Sequence, residues 1–125
     1  MCLRGISGIF YACILAAALL FAQIVMAVEP GSVEPEEAKA MVQRQKALVI
    51  LDVRNPNEFV VAHYPGALNI PVNDLEARFS EVPAGRPVLV HCGIGRRAQR
   101  GYEILKEKRP DIKELYYING EPLFQ

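Results

Sequence analysis

The sequence predicts an α/β domain: a small, mostly parallel β-sheet flanked by helices on both faces. Three observations point to it. The apolar runs ALVIL (47–51), VLVH (88–91) and LYYI (115–118) are short and nearly continuous, as in strands covered on both faces. Stretches with helical apolar spacing lie between them, opened by Pro35 and Pro56 and stopped near Pro110. Strand and helix signals therefore alternate along the chain, the pattern of parallel βα units.

Residues 1–27 stand outside that domain. Arg4 and the terminal amine precede the uncharged run 9–22, and Val25-Met26-Ala27 ends in a small-residue cleavage pattern. This is the layout of a secretory signal peptide cut after Ala27, and it predicts an exported, periplasmic protein. The competing reading is an uncleaved membrane anchor, since 6–28 is long enough to span a bilayer. Removing 27 of the 125 residues leaves 98, enough for one small core. The full chain carries 14 basic and 14 acidic residues; losing Arg4 leaves 13 against 14, a net charge of −1. That balance predicts neither a nucleic-acid partner nor, once the signal is cut, a membrane partner.

The domain is expected over 34–125, after a Pro/Gly/Ser linker at 28–33. Pro35, Glu36 and Glu37 open a helix at the end where acids are favoured, and Ala38, Met41 and Val42 continue its apolar stripe to about residue 45. The strand 47–51 follows. Pro56 starts a short helix to about residue 63, which YPGA (64–67) breaks. A brief strand at 67–70, a helical turn or two at 72–79, the strand 88–91 and a long helix at 96–108 come next. The strand 115–118 is followed by the turn Asn119-Gly120. No closing helix is legible after it, so apolar surface is expected to stand uncovered there.

Cysteine usage narrows the chemistry. Cys2 and Cys13 leave with the signal, and Cys92 remains alone, unable to form an internal disulfide. With only His63 and His91 as further soft ligands, no metal site is expected. Cys92 directly follows VLVH, at the carboxyl end of a strand, where open α/β sheets bind ligands. Gly93 and Gly95 are expected to let the backbone curl so that its N–H groups form an anion-binding nest. The helix from about Arg96 adds its positive end, and Arg96 and Arg97 add cations. All of these favour thiolate over thiol, so the residues describe an activated nucleophile. The bland alternative is a small buried cysteine in a tight βα turn. His91 is expected on the opposite face of the sheet from Cys92, because neighbouring strand residues point apart.

The segments LDVRNPNEFVVAHYPGALNIPVNDL and VLVHCGIGRRA together resemble a rhodanese domain, a sulfurtransferase module whose loop runs from a cysteine through four residues to an arginine. The likeness extends over about 34–120. It implies a catalytic Cys92 and a substrate-binding loop of Gly93, Ile94, Gly95, Arg96 and Arg97. Arg97 would organise the loop and contact the donor, with Arg96 more exposed. The phosphatase-type version of the fold has one more residue before its arginine, but that position here is Ala98, which favours sulfur over phosphate. The implied reaction moves a sulfane sulfur from thiosulfate, or a similar small anionic donor, onto Cys92 as a persulfide. Cyanide or a thiol, including that of a thiol-bearing protein, then accepts it, and no cofactor is needed. The alternative on the same residues is a sulfur carrier or binding module with little or no catalysis.

Asp52 and Arg54 are expected to support the site structurally through a charge-assisted pair. Glu58 and His63 are expected to fix the short helix and its turn, and Asn69 to tie down a loop. Ile94 offers a donor no side-chain hydrogen bond. A lone exposed thiolate is also expected to be open to peroxide oxidation.

Overall fold

The computed structural model describes residues 28–124; the signal-peptide reading of 1–27 lies outside them. Five strands, β1 (Gly31–Val33), β2 (Val49–Asp52), β3 (Leu68–Asn69), β4 (Val88–His91) and β5 (Leu115–Ile118), form one sheet in the order β1-β5-β4-β2-β3. Every pairing is parallel. The helices are α1 (Pro35–Arg44), α2 (Pro56–Val61), α3 (Val72–Arg78) and α4 (Arg96–Lys108), with a 3₁₀ turn at Phe79–Glu81. The α/β expectation is met.

The continuous apolar runs have the reason anticipated for them: β2 and β4 are buried along their whole length. Alternate residues feed two cores. Val49, Leu51, Val88 and Val90 point into one, where Leu75 of α3 and Ala98, Ile104 and Leu105 of α4 cover them. Ile50, Leu89, Tyr116 and Ile118 point into the other, covered by Ala38 and Met41 of α1 and by Tyr64. Helix α4 lies close to the sheet because Gly101 faces it: a Cβ there would come within 3.1 Å of Val90 and 3.2 Å of Val53.

Two expectations need correction. Residues 28–33 are not merely a linker. Gly31, Ser32 and Val33 pair with Tyr116, Tyr117 and Ile118 as an edge strand, and the Tyr116 hydroxyl donates to the Val28 carbonyl. The composition hid this, because an edge strand of three residues needs only backbone groups and one inward apolar side chain, here Val33. Nor is the second core left open after β5. Phe124 packs against it, edge-on to Tyr64 and His91 and beneath the Arg54 guanidinium, 5.2 Å from the ring centre.

Candidate active site

Three strand ends meet at the carboxyl edge of the sheet, and the candidate residues gather there. Cys92 follows β4 at once, and α4 starts four residues later. The turn between them depends on Gly95. Its φ is +103°, a region that L side chains rarely enter. A Cβ at this position would also stand 2.9 Å from the Gly120 backbone nitrogen. With that geometry the Gly95 N–H donates to Cys92 Sγ at 3.0 Å. The sulfur thus sits against a backbone donor at the start of a 13-residue helix. Gly93 differs from expectation. Its φ is not positive, and the nearest atom to a Cβ there would be Arg97 Nη2 at 3.4 Å. Only one of the two loop glycines is demanded by backbone conformation.

Cys92 itself is 0% exposed, which corrects the expectation of an exposed thiol. The loop folds over the sulfur, and the outer crown of that loop is Ile94, 72% exposed. Arg96 is exposed and has no ion-pair partner among the described residues.

Arg97 has a partner that was not anticipated. Its guanidinium forms a two-pronged pair with Glu58, Nη1 to Oε2 at 2.7 Å and Nη2 to Oε1 at 2.9 Å. This fork ties the start of α4 to α2 across 39 residues of sequence. Glu58 also closes a capping box with Asn55, its Oε2 accepting from the Asn55 N–H at 3.1 Å. The hydrogen bond from Arg97 is the main reason its carboxyl pKa drops to about 2. The expectation that Glu58 fixes the short helix is met by this capping box, but its pairing with Arg97 was not anticipated; Glu and Arg 39 positions apart carry no spacing signal.

The Asp52–Arg54 pair is as close as anticipated. Arg54 Nη2 lies 2.6 Å from Asp52 Oδ2 and Nε 2.9 Å from Oδ1, and Nη2 also holds the Ala62 carbonyl at the end of α2. Asn69 Nδ2 donates to the carbonyls of both Asp52 and Arg54, so the loop after β2 is fastened on two sides. His63 stacks on Phe59 with ring centres 3.8 Å apart, and its Nδ1 lies 2.7 Å from the Phe59 carbonyl. It braces the turn after α2.

His91 points away from Cys92, as alternation requires. It is fully buried in the second core, edge-on to Tyr64 and Phe124. Its Nε2 is 3.6 Å from Asp52 Oδ2, too long for a hydrogen bond, and among the described residues both ring nitrogens lack a hydrogen-bond partner, as does the Tyr64 hydroxyl. Burial lowers its pKa to about 4 against the opposing pull of Asp52, so the ring is neutral at pH 7. Among the described residues no cluster of three or more His, Cys, Asp or Glu side chains converges in a way that could hold a metal ion.

The chain is also similar to known proteins. The chain is 35% identical over 71 residues to the uncharacterized protein YqhL of Bacillus subtilis (strain 168), covering 57% of this chain and 55% of that one. It is 33% identical over 73 residues to the putative sulfur carrier protein YrkF of the same organism, covering 58% and 40%. The chain thus spans about half the length of the curated relatives it matches. Among solved structures, reduced Bacillus anthracis CoADR-RHD superposes with a TM-score of 0.61 at 28% identity, over 74% of this chain and 16% of that one. Residues 34–120 match the Rhodanese-like domain family, and the chain belongs to that family.

Proposed function

We propose that this protein transfers a sulfane sulfur through a persulfide on Cys92, with thiosulfate or a similar small anion as donor. The observation that carries the reading is Cys92 at the end of β4, its sulfur held by the Gly95 N–H at 3.0 Å at the start of α4. Membership of the rhodanese-like family supports it, as does the likeness to a putative sulfur carrier.

The reaction has two balanced halves. Cys92 thiolate attacks the outer sulfur of thiosulfate; the sulfur–sulfur bond of the donor breaks, and sulfite leaves with the bonding pair. The outer sulfur now sits on Cys92. Cyanide or a thiolate then attacks that terminal sulfur, the Cys92–sulfur bond breaks, and the pair returns to Cys92 as thiolate. Backbone N–H donors of Gly93 to Arg97 stabilise the charge on the transferred sulfur, as preorganised dipoles do for developing anions. Arg97 holds the loop through Glu58, Arg96 draws the anion in, and Asp52 with Arg54 keeps the strand end rigid. In this reading the protein works after export to the periplasm, its residues 1–27 removed; the N-terminal sequence of the protein recovered from that compartment tests this.

Thiocyanate formation from thiosulfate and cyanide tests the activity, and it should disappear in Cys92→Ser. Equal activity in that variant would overturn the mechanism. A second reading is favoured by the closed cover over Cys92 and the resemblance to a putative sulfur carrier: the chain accepts one sulfur and hands it on without efficient turnover. One added sulfur by mass spectrometry without thiocyanate turnover selects that reading.

A further inference from the structure

Cys92, Gly95, Gly120 and Pro35 follow one another in a row of close approaches. The Gly95 N–H reaches the Cys92 sulfur at 3.0 Å. Against Gly95 lies the turn after β5: a Cβ on Gly95 would stand 2.9 Å from the Gly120 nitrogen, 3.5 Å from the Ile118 carbonyl oxygen and 3.6 Å from the Asn119 carbonyl carbon. Against Gly120 in turn lies Pro35, whose ring Cγ would be 3.1 Å from a Cβ placed there. Both glycines hold a positive φ, +103° and +141°, which L side chains rarely adopt.

The outer end of this row is fixed. Pro35 is the first residue of α1, two positions after β1 ends. The Asn119 N–H donates to the Val33 carbonyl at 2.8 Å, and β1 pairs with β5 up to Ile118. Asn119 Nδ2 also reaches Glu34 Oε1 at 3.5 Å. The turn is therefore tied to β1 and to the start of α1, and a side chain on Gly120 would find no room on the Pro35 side.

A positive φ alone accounts for a glycine at position 120. It does not account for the backbone of that turn packing against Gly95, the residue whose N–H holds the sulfur.

We propose that Gly120 is a positioning residue for sulfur transfer: set against Pro35, its backbone is the stop that keeps the Gly95 N–H on Cys92. This rests on the proposed sulfur transfer and deepens it, because it assigns to that site a residue outside the Cys92 loop. Gly120 acts through Gly95, not on the sulfur. A methyl group on Gly120 meets the Pro35 ring, so the turn is driven towards the loop, Gly95 shifts and its N–H leaves the sulfur. The short strand β1 has a use in this arrangement, since it fixes Pro35 beside the turn.

Three variants of the full chain test this: Gly120→Ala, Pro35→Ala and the two combined, with Val82→Ala as control. Val82 is buried and its carbonyl is held by Arg109, past the far end of α4, so its truncation lowers stability away from the loop. Two rates are read, each corrected for the folded fraction: single-turnover loading of Cys92 from thiosulfate, and alkylation of Cys92 by iodoacetamide, which reports how well the loop covers the sulfur. Gly120→Ala should load sulfur about 10-fold more slowly, within the cost of misplacing a group at a reacting centre, and should alkylate faster. Pro35→Ala leaves the turn unstrained and should shift both rates the same way to a smaller extent. The combined variant should be no worse than Gly120→Ala alone, because the methyl group takes the space the ring left. Val82→Ala should match wild type in both rates. Unchanged rates in Gly120→Ala or in Pro35→Ala, an equal loss in Val82→Ala, or losses that multiply in the combined variant would overturn the proposal. If wild type takes up no sulfur, the transfer reading fails, whereas the alkylation rates still uphold or overturn Gly120 as the stop for this loop.

Discussion

Cys92 and His91 are neighbours at the end of one strand, yet they face two different environments. On the Cys92 side the backbone turns through Gly95, an N–H reaches the sulfur, a charged fork anchors the loop, and Ile94 and Arg96 stand exposed above it. On the His91 side the imidazole is sealed among Tyr64 and Phe124 beside the Asp52–Arg54 pair, both nitrogens unpaired among the described residues. One side holds the sulfur against a backbone N–H beneath an exposed loop. The other holds polar groups that would be expensive to charge. The comparison teaches that alternation along a strand can place a sulfur site and a structural imidazole one residue apart with no shared chemistry.

The largest expected contrast is in activity. Replacing Cys92 with serine should lower sulfur transfer by about 10³-fold or more, the scale of losing a covalent nucleophile. His91→Leu should leave the rate within about threefold, since this ring is not within reach of the reacting sulfur. Thiocyanate release compares the two directly; a large loss in His91→Leu would make the histidine a participant and undo the contrast.

Acid stability comes next. The His91 pKa falls from 6.5 to about 4 on folding. Above pH 6.5 both folded and unfolded forms hold a neutral ring. As the pH falls from 6.5 towards 4, the unfolded chain takes up a proton that the folded one refuses, so stability is lost and the loss levels off below about 4. The full effect is about 3 kcal/mol. Urea denaturation of wild type across that window should show the decline, and His91→Leu should flatten it, because an apolar residue of similar size removes an unpaired polar group. An unchanged pH profile in the variant would assign the decline to other groups.

Gly95→Ala should cost about 2 kcal/mol or more, from a positive φ and from a methyl group 2.9 Å from the Gly120 nitrogen. The same change moves the N–H from the sulfur, so transfer should fall further than the urea midpoint alone explains. Gly93→Ala, with ordinary φ and a 3.4 Å contact to a flexible arginine, should be mild by both measures. Reversal of that order would mean that Gly93, not Gly95, sets the turn.

The smallest effect is expected from Glu58→Gln. The pair with Arg97 is over a third exposed, so solvent screening limits its worth to about 1 kcal/mol or less. Its carboxyl pKa is lowered from 4.5 to about 2, so this contribution is present above pH 4.5 and fades as the pH falls through 4.5 towards 2. The urea midpoints of wild type and variant should therefore differ at pH 6 and converge near pH 2.

What the sequence revealed and concealed follows the range of the interactions. β2 and β4 were legible because burial on both faces forces continuous apolar runs, and Cys92 was legible because strand end, glycines and helix start are adjacent in the chain. His91 could be assigned to the far face by alternation alone. The edge strand β1 was not legible, since GSV carries one apolar residue and its pairing with β5 is made by backbone groups more than 80 positions away. The same holds for Glu58 with Arg97 and for Phe124 over the second core: each is a contact between distant segments, and no local period announces it. The full covering of Cys92 was hidden for another reason. It depends on how the loop folds back, not on which residues it contains.

In the proposed reaction the transferred sulfur resides on Cys92. Mass mapping of protease-derived peptides after incubation with thiosulfate measures it most directly. One additional sulfur is expected on the peptide that carries Cys92, removed by cyanide and absent from Cys92→Ser. A chain that turns over thiosulfate while that peptide stays unmodified, or a Cys92→Ser variant that still gains the sulfur, would contradict it.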